Sequence, residues 1–262
     1  MEPPLTLLLN REYTKPHRKF VVTTDDGVPI HGVHLGERGG VALIYCHGLF
    51  DSKNYLRVPR FVERLSDHFD TIAFDFRGHG DSGGYCTLGC EEIRDLKAVI
   101  EYARRQGYHT VVAIGTSMGG ATVLRTYGQY GGLDGIVTIG AFADTNQLQW
   151  LPTRLTLRFI FETEAGHALA FWTRGTRLGS LRAMDQPLDF ADRVHVPLLV
   201  IHGEWDPLIE PVHAAQIVDR APEPKRMVII PRGGHVMSNL NEETCRLIVN
   251  WIRDEVLASG VQ

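Results

Sequence analysis

Short runs of β-branched and aliphatic residues alternate along this chain with segments of helical period. That alternation constrains the fold more than any other feature. The runs are Val41–Cys46, 71–76, 110–114, Gly135–Ile139, 197–201 and Lys225–Ile230. They are continuously apolar, as strands buried on both faces must be. Between them the spacing predicts helices over 55–68, 90–103, Met118–Tyr130, 209–220 and 242–256. In the second of these, Cys90, Ile93, Leu96, Ile100 and Ala103 make one apolar stripe. Ahead of the first run, Phe20, Val21 and Val22, a turn at Asp25-Asp26-Gly27 and a second run over 30–35 read as a hairpin, followed by the Gly-rich turn 36–40. A hairpin followed by repeated strand–helix units implies an α/β fold, with a mostly parallel central sheet of about eight strands flanked by helices.

One interval breaks the rhythm. Over 143–193 there is no strand pattern, while Trp150, Leu151, Leu155, Phe159, Ile160, Phe161, Phe171 and Trp172 crowd the segment. It is too long for an ordinary connection. The reading is a small helical cap, 143–193, inserted into a core made of 1–142 and 194–262. A chain of 262 residues suits one such domain.

Lys+Arg number 27 and Asp+Glu 31, a net charge of −4, so there is no electrostatic footprint for nucleic acid or an anionic membrane. No stretch approaches the ~20 apolar residues that span a bilayer. The run Leu5 to Leu9 follows Glu2, not a basic region, and precedes Asn10 and Arg11, not a small-residue cleavage site. The expectation is a cytoplasmic protein without stable membrane insertion. Cys46, Cys86, Cys90 and Cys245 are read as reduced thiols, although the spacing of Cys86 and Cys90 leaves a disulfide open. No second Cys pair or His-x3–5-His accompanies them, so no metal site is expected.

The chemistry concentrates at Gly115-Thr116-Ser117-Met118-Gly119, between a strand and a helix. A nucleophile exposed at the top of a sheet needs a sharp strand-to-helix turn, and its neighbours must be tiny. The helix beginning there also aims backbone N–H groups at any oxyanion that forms. A hydroxyl needs a base, and the base needs orienting. Of 12 histidines, His235 alone follows the last strand on a Gly233-Gly234 loop that can turn its ring back toward Ser117. Asp206, on the loop after the preceding strand, is the favoured acid, with Asp144 and Glu204 as competitors. In Cys46-His47-Gly48-Leu49-Phe50, Gly48 permits close approach, so the N–H groups of Leu49 and Met118 are the expected oxyanion donors. His47 is read as a buried organiser of its loop. The segment Asp75 to Ser82 is read as a tight loop beside the elbow, and Ser82 lacks a strand-to-helix setting.

Taken together, His47-Gly48, the loop Asp75 to Ser82, Gly115 to Gly119, Asp206 and His235, in this order, resemble the α/β-hydrolase superfamily over nearly the whole chain. Within it the chain is most similar to small bacterial esterases, thioesterases and monoacylglycerol-lipase-like enzymes. It departs from the hormone-sensitive-lipase-like branch, because Leu49 and Phe50 follow His47-Gly48 where that branch has further glycines. It departs from haloalkane dehalogenases, because the nucleophile is Ser117 rather than Asp. The resemblance implies a serine hydrolase that cleaves small-molecule carboxylic esters through an acyl-enzyme, without metal or organic cofactor. Thioester hydrolysis or acyl transfer by the same triad is the alternative, and a non-catalytic receptor on this fold is a third. The cap is expected to fold as short helices whose apolar face covers Ser117 and selects short- to medium-chain acyl groups. Arg154, Arg158, Arg174, Arg177 and Arg182 leave open a carboxylate or phosphate on the substrate. Neither the natural substrate nor the oligomeric state follows from the sequence.

Overall fold

The strands β1 (His17–Thr23), β2 (Pro29–Leu35), β3 (Val41–Cys46), β4 (Asp70–Phe74), β5 (Thr110–Thr116), β6 (Gly135–Ile139), β7 (Leu198–Gly203) and β8 (Lys225–Ile230) form one eight-stranded sheet in a computed structural model of the chain. The structure describes residues 4–147, 151–180 and 185–258. The strand order is β1-β2-β4-β3-β5-β6-β7-β8. The β1–β2 and β2–β4 pairs are antiparallel and every other pair is parallel. The expected α/β architecture is therefore the observed one.

Side-chain alternation in the central strands divides the core between the two faces. Ala42, Ile44 and Cys46 of β3 join a cluster with α3 (Glu92–Arg105), α4 (Met118–Tyr130) and α7 (Val212–Arg220). Leu43 and Tyr45 join the opposite cluster with α2 (Val58–Leu65) and α8 (Glu242–Trp251). All five of these β3 side chains are fully buried. Burying a side chain such as Leu43 contributes about 1.5–3 kcal/mol. Helix α4 starts directly after Ser117, and two of its buried hydroxyls bond back to carbonyls one turn earlier, Thr122 to Met118 at 2.8 Å and Thr126 to Thr122 at 2.7 Å.

Several boundaries differ from the sequence reading, each for a local reason. The run 71–76 leaves the sheet after Phe74, because the Phe76 N–H donates to His47 Nε2 and the Asp75 N–H to the His31 carbonyl. Helix α7 starts at Val212, behind Pro211 at its N-cap, not at 209. Helix 242–256 is α-helical to Trp251 and widens to π-type turns over Ile252–Leu257. Strand β8 lies at the sheet edge with Arg226 and Met227 exposed, so it is not buried on both faces. A short helix, α1 (Pro4–Leu9), occupies the N-terminal apolar run.

Between β6 and β7 lie α5 (Leu151–Glu162), α6 (Glu164–Arg174) and a 3₁₀ segment, Pro187–Arg193. Thr163 caps α6 by accepting the Gly166 N–H, and Gly175, at φ 68°, terminates it in the left-handed conformation. The apolar side chains of this segment are divided. Ile160, Phe161 and Ala170 enter the main core, whereas Leu155, Phe159, Leu169 and Trp172 are exposed. Trp150 and Arg182 lie outside the described residues. Among the described residues, no helix is long and apolar enough to cross a membrane.

Candidate active site

The turn from β5 into α4 places Ser117 at φ 50°, ψ −118°, a conformation that L residues rarely adopt. Its neighbours hold it there. A Cβ on Gly119 would lie 2.2 Å from the Cys46 carbonyl oxygen, and one on Gly115 would lie 2.5 Å from the Gly119 oxygen. Both obstacles are backbone, so glycine is required at each position. The Ser117 N–H donates to the Ile139 carbonyl at 2.9 Å, which ties the elbow to the end of β6.

The loop after β8 returns to this edge and presents His235. Its Nε2 lies 3.1 Å from Ser117 Oγ, and its Nδ1 lies 2.7 Å from Asp206 Oδ2. The Asp206 side chain is fully buried and the His235 side chain 19% exposed, so the relay is dry at the acid and open at the base. The other oxygen, Asp206 Oδ1, accepts the N–H groups of Leu208 at 2.9 Å and Ile209 at 3.0 Å. Burial pushes the Asp206 carboxyl up, but hydrogen bonds from His202 and His235, the charge of His235 and the Ile209 N–H outweigh it. The carboxyl is held well below the usual carboxylate range. It is thus an anion fixed at the far nitrogen of the imidazole. Gly140, beside this pair, takes φ 63°, a left-handed conformation that favours glycine.

The competing acids are engaged elsewhere. Asp144 accepts from the Asn146 N–H and Gln147 Nε2, and Glu204 accepts the Arg232 N–H. Ser82 donates to the Asp75 carbonyl and accepts the His31 N–H. The N–H of Met118, first residue of α4, has no intrahelical acceptor by helix geometry. The Leu49 N–H has no backbone acceptor among the described residues. Both expected oxyanion donors are therefore uncommitted.

His47 is fully buried and organises this loop. Its Nε2 accepts the Phe76 N–H at 2.9 Å, so its Nδ1 carries the proton donated to the Gly48 carbonyl at 2.7 Å. Burial keeps its basicity below the ordinary imidazole range. His79, an edge-to-face neighbour of His47, is pushed down to about 3, chiefly by burial. Beneath them Asp75 is completely buried. It takes the Lys53 N–H at 2.7 Å and the Lys53 ammonium at 2.6 Å, and Lys53 reaches Asp81 at 2.6 Å. All four cysteines are free thiols, so Cys86 and Cys90 form no disulfide. Among the described residues, no group of His, Cys, Asp and Glu could hold a metal ion.

Three residues here escaped the sequence reading. Asp51 follows the oxyanion loop, half-buried. A side chain on Gly48 would begin 3.2 Å from Asp51 Oδ2 and 3.3 Å from Ser117 Cβ, so this carboxylate stands close to the nucleophile. Burial pushes it up to about 7, against the charges of His235 and Arg174 and the Gly48 backbone. A cavity of about 760 Å³ opens from Asp51, with Phe50, Lys53, Tyr55, Phe171 and Arg174 among its walls. Tyr55 is the second missed residue, because its hydroxyl and ring face hold Arg174. The third is His202, whose Nε2 lies 3.4 Å from Asp206 Oδ2 and 2.9 Å from the Ile209 carbonyl. Only the acidic residue directly after His47 to Phe50 could have pointed to the cavity from sequence.

The geometry can be set beside known proteins. The sequence profile of the Alpha/beta hydrolase family matches residues 43–247. YqkD of Bacillus subtilis, described as uncharacterized, is 28% identical over 246 residues, covering 90% of this chain and 79% of that protein. The esterase Pf2001 of Pyrococcus furiosus superposes with a TM-score of 0.77 at 21% identity, covering 98% of each chain. The esterase RhEst1 of a Rhodococcus species gives a TM-score of 0.70 at 17% identity, covering 90% of this chain and 99% of that one.

Proposed function

The chain belongs to the Alpha/beta hydrolase family, and we propose that it is a serine hydrolase of carboxylic esters. The observation that carries this reading is the unbroken chain of contacts from Asp206 through His235 to Ser117 Oγ. In the proposed cycle, Ser117 Oγ attacks the ester carbonyl while His235 Nε2 takes its proton. Asp206 holds the Nδ1–H and stabilises the imidazolium. The carbonyl electrons move onto oxygen, which accepts the N–H groups of Leu49 and Met118. The tetrahedral adduct then expels the alcohol, which leaves with the proton from His235. Water attacks the acyl-enzyme with His235 again as base, and the free acid and Ser117 are restored.

The proposed acyl group is short to medium, with Phe50 and Phe171 among the apolar walls of a cavity that also carries many polar side chains. The proposal includes a cytoplasmic setting, with which buried thiols at Cys46, Cys86 and Cys245 agree. A fluorophosphonate probe tests the core of the reading. Mass spectrometry should find the adduct on Ser117, and Ser117→Ala should abolish labelling and lower turnover by several orders of magnitude. An adduct on Ser82 or Ser238, or no labelling of the folded protein, would sink it. Offering thioesters, and alcohols or thiols as acceptors, to the labelled-competent protein separates ester hydrolysis from thioester hydrolysis and acyl transfer.

A further inference from the structure

Lys19, Lys53, Arg174 and Arg177 line the cavity that opens from Asp51, and their charges are employed differently, Lys19 being an exposed side chain of β1. Lys53 is neutralised by Asp75 and Asp81. Arg177 is spent on the Gly84 and Ser82 carbonyls, which pin the segment after α6 to the loop beside the elbow. Arg174 has no carboxylate within ion-pair distance among the described residues. It is nevertheless held in place. It ends α6 immediately before the Gly175 terminator, its guanidinium lies 5.4 Å over the Tyr55 ring, and Nη1 donates to the Tyr55 hydroxyl. That arrangement leaves the Nε–Nη2 edge without a partner, and this edge of a guanidinium takes a carboxylate through two parallel hydrogen bonds.

Asp51 is the acid nearest the nucleophile on the same cavity, yet it makes no ion pair with Arg174. Burial pushes it up to about 7, so it holds a proton more readily than an ordinary carboxylate. The cavity thus opens from Asp51, close to the nucleophile, and carries in Arg174 an oriented cation with no carboxylate within ion-pair distance among the described residues.

From this arrangement we infer that Arg174 is a specificity-determining residue that binds a carboxylate on the acyl chain, so that the preferred substrate is a hemiester of a dicarboxylic acid. This rests on the ester-hydrolase reading above. It also changes what the cap selects. The C-terminal end of α6 reads charge at the cavity, while the exposed Leu155, Phe159, Leu169 and Trp172 lie on the solvent side of the cap helices.

The test compares mono-(p-nitrophenyl) glutarate with p-nitrophenyl pentanoate, chains of equal length with and without the charge. The protein, Arg174→Gln and Arg174→Lys are assayed side by side. Glutarate binding to Ser117→Ala, alone and combined with Arg174→Gln, is measured by calorimetry. The hemiester should be preferred about tenfold or more in kcat/KM. In Arg174→Gln the ratio of hemiester to neutral ester should fall about 10- to 100-fold, chiefly through KM, as for the loss of a charge-assisted hydrogen-bonded pair. Arg174→Lys should recover part of it, and added salt should narrow the ratio. Glutarate should bind Ser117→Ala and lose that binding with Arg174→Gln. Equal use of both esters, or a ratio unmoved by Arg174→Gln, overturns the inference while leaving the hydrolase standing. If glutarate binds through Arg174 but no ester is cleaved, the anion site stands and the hydrolase reading falls.

Discussion

At Ser117 the backbone is held where a serine does not rest, a strain of about 1–3 kcal/mol that persists because the neighbours leave no alternative. Gly119 is the tightest of them. Gly119→Ala would drive a methyl into the Cys46 and His47 carbonyls. It should destabilise the protein by about 1–3 kcal/mol in urea unfolding and reduce probe labelling at Ser117, because the elbow must open. Labelling at the native rate with native stability would show that the turn relaxes freely. The acid is tested in the same manner. Asp206→Asn should leave KM nearly unchanged and lower kcat by about 10⁴, because the wrong imidazole tautomer faces Ser117. Asp144→Asn, whose partners are Asn146 and Gln147, should leave both kcat and KM nearly unchanged. Beneath the site, Lys53→Met would strand Asp75 as a buried charge and should cost about 3–5 kcal/mol, read as a lowered urea midpoint.

At the scale of elements, legibility followed rhythm and punctuation along the chain. The strands β3, β6 and β8 and helix α4 match their sequence limits to the residue, because strand–helix rhythm and glycine punctuation report backbone pairing directly. Ser117, Asp206 and His235 were legible for a related reason: each sits just past the C-terminal end of a strand, and strand ends can be counted along the chain. Arg174 stood out only as one of five arginines, and its meeting with Asp51 and Tyr55 was not legible, because they come together across loops and α6, distant in sequence, and nothing local marks the meeting. The segment between β6 and β7 shows the same limit. Its helices could be inferred from composition, but which apolar residues turn inward depends on how α5 and α6 lie on the core. The exposed pair Phe159 and Trp172 is therefore expected to matter little to acyl selection, and Phe171 more. Single alanine substitutions, assayed on p-nitrophenyl esters from acetate to palmitate, check this. Phe171→Ala should raise KM for the preferred chain and shift the length optimum, whereas Trp172→Ala should change neither stability nor optimum by more than about 0.5 kcal/mol. A strong dependence on Trp172 would return the acyl pocket to the outer face of the cap.

Over the whole molecule, the proposed chemistry sits at the C-terminal edge of the parallel strands, while the antiparallel side of the sheet carries buried polar groups that set how the fold responds to acid. His34 of β2 is 1% exposed and sits in a relay. Arg18 donates to its Nδ1 at 2.9 Å, so its Nε2–H donates to the Tyr108 hydroxyl at 2.7 Å, which in turn donates to Asp70 at 2.9 Å. Burial and the Arg18 charge push this imidazole down to about 4, against the pull of Asp70. An imidazole in the unfolded chain titrates near ~6.5, so between these values the unfolded state binds the proton and the folded state does not. The stability that His34 contributes is therefore complete above about pH 6.5, falls as the pH drops through that window, and stops falling below about pH 4. The separation corresponds to a loss on the order of 3 kcal/mol. Urea unfolding of the protein and of His34→Gln at pH 7, 5.5 and 4 isolates this contribution, since the other titrating groups are common to both. The advantage of the protein over the variant should be largest at pH 7 and shrink steadily toward pH 4. An advantage that stays constant across the three pH values, or grows in acid, would mean that His34 is charged in the folded state and that the relay from Arg18 to Asp70 runs with a different set of protons.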